Sequence, residues 1–169
     1  MAQHTNLSIY DAATQLGQSL KTSGFMLVMA ESCTGGMVAE AITSVAGSSA
    51  WFDRGFVSYS NAAKIDMLDV SSKTLEKFGA VSEQTAAEMA IGALINSEAQ
   101  IAGSITGIAG PDGGSPEKPV GTVCFAWTGK NLPVSTCTHW FEGNRESVRK
   151  QATIFMMVGL IERLNTEQA

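Results

Sequence analysis

The run Phe25-Met26-Leu27-Val28-Met29-Ala30 is apolar at every position, too short for a helix, and bounded by Gly24 and the turn Glu31-Ser32-Cys33-Thr34-Gly35-Gly36. A strand without polar alternation has to be covered on both faces, which constrains the chain to a sheet held between helices. The rest of the pattern supplies those helices. Ile9, Ala12, Ala13, Leu16 and Leu20 recur at helical spacing across residues 8–21, with Gly24 as the stop. Residues 36–45 read as a second helix closed by Gly47, residues 56–59 as a strand, and residues 62–68, 72–78 and 82–97 as helices, the last capped by Ser82. Residues 100–108, 120–128 and 133–141 read as strands, and Asn144 caps a final helix through Leu164. The order predicts an α/β fold: a three-layer α/β/α sandwich on a mixed, mostly parallel sheet. A length of 169 residues predicts one domain over 1–169.

Charge and cysteine content exclude several classes of function. The net charge is -5, with only 11 Lys and Arg, which speaks against a nucleic-acid surface. Cys33, Cys124 and Cys137 are odd in number and lack the paired spacing of a zinc site or a secreted disulfide framework, so they read as reduced thiols. Residues 1–6 are polar, and no run of about 18 apolar residues occurs, so a cytoplasmic protein without a membrane partner is expected. His4 and His139 have no partners at metal-ligand spacing and Asp112 has no second acid nearby, so no metal is expected.

In open α/β sheets ligands bind beyond the carboxyl ends of strands, so the segments after Ala30, Tyr59 and Ile108 are expected to meet. The turn 31–36 enters a helix, and its free N–H groups suit a phosphate or an oxyanion; the plainer alternative is a tight turn with a capping Ser or Thr. It lacks the spacing and Lys of a P-loop. Ser48, Tyr59 and Lys64 supply a hydroxyl, a phenol and an amine. A Lys with a lowered pKa can activate a Ser hydroxyl, with Tyr59 relaying the proton or holding its geometry. Ser49 and Ser32 compete with Ser48 as nucleophile. Residues 106–121 hold five Gly and three Pro, a shaped rim for a ligand rather than a flexible linker. Lys118 and Arg145 are cations placed to meet a phosphate there, whereas Arg149 reads as part of a solvated helix face. Trp51, Phe52, Trp127 and Trp140 read as core or interface anchors.

Three stretches taken together, Ala30-Glu31-Ser32-Cys33-Thr34-Gly35-Gly36, Ala46-Gly47-Ser48-Ser49-Ala50-Trp51-Phe52 and Gly107-Ile108-Ala109-Gly110-Pro111-Asp112-Gly113-Gly114, resemble the CinA C-terminal family. The resemblance runs from about Leu7 to Arg163, and the absence of a large preceding domain matches the family's short form. It implies an amidase that turns nicotinamide mononucleotide into nicotinic acid mononucleotide and ammonia. It further implies a Ser nucleophile assisted by Tyr and Lys, carried here onto Ser48, Tyr59 and Lys64. A mononucleotide pocket is implied as well. Combined with the chemistry above, it falls on Ser32, Thr34, Gly35, Thr106, Gly110 and Arg145. The resemblance implies neither metal nor redox cofactor, and association into homo-oligomers. The competing class is a nucleotide-sensing or interaction module without turnover. Phosphoryl transfer is disfavoured because Mg²⁺ carboxylates cannot be assembled from the sequence.

Overall fold

The structure is a computed structural model that describes residues 7–167; His4 lies outside the described residues. Its elements in chain order are α1 (Ile9–Ser23), β1 (Leu27–Glu31), α2 (Met37–Thr43), a single 3-10 turn (Ser48–Ala50), β2 (Phe52–Val57), α3 (Asn61–Leu68), α4 (Ser72–Phe78), α5 (Glu83–Ile95), β3 (Ile101–Gly107), β4 (Thr122–Gly129), β5 (Leu132–Trp140) and α6 (Arg145–Glu167). One five-stranded sheet has the order β2-β1-β3-β4-β5. Strand β1 pairs in parallel with β2 and β3, while β3–β4 and β4–β5 are antiparallel, so only β4 runs against the other four.

Alternation along β1 builds the two faces. Leu27 and Met29 pack with Ile101, Ile105, Phe125 and Trp127 under α1, α2 and α6. Val28 and Ala30 pack with Ala102 against Met89 and Ala93 of α5 and Leu68 of α3. The predicted three layers are therefore present, and they follow from β1 being buried at every residue.

Local signals set the helix ends. Ser8 Oγ accepts from the Asp11 amide and Gly24 closes α1 at φ 69°. Ser82 Oγ accepts from the Thr85 amide, and Asn144 Oδ1 from the Ser147 amide. Trp51 and Trp127 are buried in the core, whereas Trp140 is exposed and donates to the Val120 carbonyl.

The strand expected at 56–59 instead spans Phe52–Val57. It is an edge strand, paired only with β1, so Asp53, Arg54 and Gly55 are tolerated inside it and mask its signal. All three cysteines are free thiols. No described helix is long and apolar enough to cross a membrane.

Candidate active site

The strand parity that builds the core also divides the end of β1. Glu31 continues the Leu27–Met29 face toward α2, and Ser32 continues the Val28–Ala30 face toward α3. On that second side Lys64, in α3, is 1% exposed. Its Nζ lies 3.0 Å from Ser32 Oγ, 2.9 Å from the Ser58 carbonyl and 3.1 Å from the Tyr59 carbonyl. Among the described residues no carboxylate is hydrogen-bonded to it. Burial pushes the Lys64 pKa below lysine's ordinary value, because the ammonium has lost its water and gained no counter-ion. Nζ donates to all three oxygens; once it loses a proton, the two carbonyls can keep its two N–H groups and its lone pair can accept from the Ser32 O–H.

A cavity of about 260 Å³ opens above this pair, walled by Ser32, Cys33, Tyr59 and Lys64 on one side and by Thr106, Gly110, Asp112 and Arg145 on the other. The carboxyl ends of β1, β2 and β3 thus converge as the fold class requires. Gly110 adopts φ 83°, and a Cβ there would run into Val120, so the loop approaches the cavity with backbone alone. Arg145 donates to the Gly110 carbonyl at 2.8 Å and to the Tyr59 hydroxyl at 3.2 Å, closing the rim between the loop and α6.

Several expected placements change. Ser48 is not brought to Lys64. It precedes β2 at the amino edge of the sheet, whereas Ser58 and Lys64 follow β2, and the six residues between span about 20 Å at ~3.3 Å each. Ser49, exposed on the same turn, lies at that far edge too. Tyr59 reaches Lys64 through its carbonyl, and the residue is 61% exposed with its hydroxyl on Arg145, so its phenol is not hydrogen-bonded to the amine.

The turn 31–36 does not offer a helix terminus to an external anion. Glu31 Oε2 accepts from the Gly36 and Val38 amides at 3.1 and 3.2 Å, and Oε1 from the Ala39 amide at 2.9 Å. Thr34 is fully buried and Gly35 lies outside the cavity lining; both shape the turn rather than the cavity. Thr106 lines the cavity while its hydroxyl donates to the Ala80 carbonyl. Lys118 is held by the Phe78 and Val81 carbonyls, bracing the wall rather than facing the cavity. Arg149 is not part of a solvated face: its Nε donates to the Cys33 carbonyl and its guanidinium to the Thr34 carbonyl, at 3.1 and 2.8 Å. Cys33, next to Ser32, is buried, and burial pushes its thiol up to about 12, so it stays protonated and unreactive near neutrality.

The fold and this site define a class: α/β/α proteins that bring a buried Ser–Lys pair to a small-molecule cavity at the carboxyl edge of the sheet. The chain belongs to the CinA C-terminal domain family, whose model matches residues 9–164. It is 56% identical over 149 residues to a protein of Enterobacter agglomerans named nicotinamide-nucleotide amidohydrolase PncC, covering 88% of this chain and 91% of that one. The protein of the same name from Escherichia coli K12 is 53% identical over 153 residues, covering 90% and 93%. Among solved structures, the competence/damage inducible protein CihA of Agrobacterium tumefaciens is 45% identical with a TM-score of 0.89, covering 95% of this chain and 99% of that one.

Proposed function

We propose that the protein hydrolyses the carboxamide of nicotinamide mononucleotide to nicotinic acid mononucleotide and ammonia, with Ser32 as nucleophile and Lys64 as its base. The substrate follows the names of the relatives above. The observation that carries the mechanism is the 3.0 Å contact between Ser32 Oγ and a buried Lys64 Nζ whose other two partners are carbonyls.

Lys64 takes the Ser32 proton as Oγ attacks the carboxamide carbon. It returns that proton to the nitrogen as the C–N bond breaks and ammonia leaves. Water then attacks the acyl-serine ester, giving one proton through Lys64 back to Ser32 as the ester C–O bond breaks, and the carboxylic acid formed loses its other proton to solvent. The guanidinium of Arg145, with donors beyond those spent on Gly110 and Tyr59, is positioned for the 5′-phosphate at the open end of the cavity. The exposed Tyr59 ring offers a face to the nucleotide. The steps as written use neither metal nor cofactor, and assembly into homo-oligomers in the cytoplasm belongs to the same reading.

The test compares ammonia release from nicotinamide mononucleotide, its riboside and free nicotinamide. Turnover of the mononucleotide is expected, and the riboside, lacking the phosphate, should lose kcat as well as affinity because remote binding energy positions the amide. Binding of the mononucleotide without any ammonia release would instead establish a non-catalytic nucleotide module.

A further inference from the structure

Ser32 is anchored upstream by ordinary sheet pairing: its amide donates to the Ile105 carbonyl, and the Glu31 carbonyl accepts from the Ser58 amide. Downstream, the chain leaves the sheet at once, and the turn through Gly36 has no strand partner. Two backbone bonds close the turn, from the Gly35 amide to the Ser32 carbonyl and from the Met37 amide to the Thr34 carbonyl, and charged side chains grip it from outside. On one side the Glu31 carboxylate, 1% exposed, collects the amides of Gly36, Val38 and Ala39 and, among the described residues, is hydrogen-bonded to no Lys or Arg. On the other side the Arg149 guanidinium, reaching across from α6, collects the carbonyls of Cys33 and Thr34. Burying a carboxylate without a cation is costly, and three charge-assisted hydrogen bonds offset that cost only while the turn keeps this one geometry. A turn with two consecutive glycines does not need charged groups merely to close; fixing it in one conformation is a different demand.

We propose that Glu31 and Arg149 are positioning residues that grip the nucleophile's turn from two sides, Glu31 by its N–H groups and Arg149 by its carbonyls. Through the turn they fix Ser32 Oγ against Lys64. The proposal rests on the reading of Ser32 as nucleophile. Neither side chain lines the cavity, so their effect falls on the geometry of attack and not on the grip on substrate.

The experiment measures kcat and KM for nicotinamide mononucleotide in Glu31→Gln, Arg149→Met and the double variant, with folding checked by circular dichroism. Each single variant is expected to lower kcat by about 10- to 100-fold while KM stays within about threefold. The double variant should fall no more than about threefold below the weaker single one, because both residues hold one turn. The proposal is overturned if a folded single variant keeps kcat within about threefold of the parent, if KM rises while kcat holds, or if the two losses multiply in the double variant. Should Glu31→Gln fail to fold, Glu31→Asp, which keeps the charge one methylene short, is judged by the same criteria. Ser32→Ala is measured beside them. Activity retained there removes the nucleophile assignment itself, whereas an inactive Ser32→Ala with fully active Glu31→Gln and Arg149→Met removes only the grip.

Discussion

Lys64 is a cationic residue type buried among carbonyls, and its environment decides its charge. With no carboxylate among the described residues hydrogen-bonded to it, burial lowers its pKa, and a general base is effective only in its unprotonated form. With Lys64 as the base, kcat/KM therefore rises with pH through the lowered Lys64 pKa and levels off above it. Lys64→Met should abolish ammonia release across the whole range. A rate–pH profile that keeps the same acidic limb in that variant would remove Lys64 as the base. The candidate pair was half legible from sequence. Lys64 stood out as an amine five residues beyond Tyr59, and Ser32 was one of three competing hydroxyls. Spacing along the chain does not say at which end of a strand a residue lies, so it did not show that Ser48 and Lys64 sit at opposite ends of β2. With the strand read at 56–59, the distance that Phe52–Val57 puts between Ser48 and Lys64 was hidden. Glu31 and Arg149 left fainter signals: the parity of β1, which turns Glu31 away from Ser32, and the one-turn spacing of Arg149 from Arg145.

At the scale of elements, the placement of Lys64 depends on how closely α3 and α5 approach. A Cβ at Gly92 of α5 would overlap the backbone carbonyl of Leu68 at the end of α3, so the two helices meet with no side chain between them. Gly92→Ala has to push α3 outward, and overpacking of this kind is expected to cost about 2 kcal/mol in chemical denaturation, with a fall in kcat as Lys64 moves from Ser32. Unchanged stability and activity would show that α3 is not held by this contact. Most elements were readable because their ends carry local chemistry: the Ser8, Ser82 and Asn144 caps and the Gly24 stop act within a few residues. The edge strand β2 was misplaced for the opposite reason. Pairing with β1 alone relaxes its side-chain pattern, and no local residue compensates.

Over the whole molecule, the sheet order brings the ends of β1, β2 and β3 to one edge, where Ser32, Lys64 and the Gly-rich rim come from three separate stretches of chain. The unbroken apolar run of β1 made the three layers legible, whereas the division of labour around the site depends on long-range pairing that no local pattern carries. We propose that this edge, and not the opposite edge where Ser48 sits, performs deamidation. Ammonia release from nicotinamide mononucleotide, measured side by side for the parent, Ser32→Ala and Ser48→Ala, tests it most directly. Ser32→Ala is expected to lose more than about a thousandfold in kcat while Ser48→Ala stays within about tenfold of the parent. Activity that survives in Ser32→Ala and disappears in a folded Ser48→Ala would contradict it.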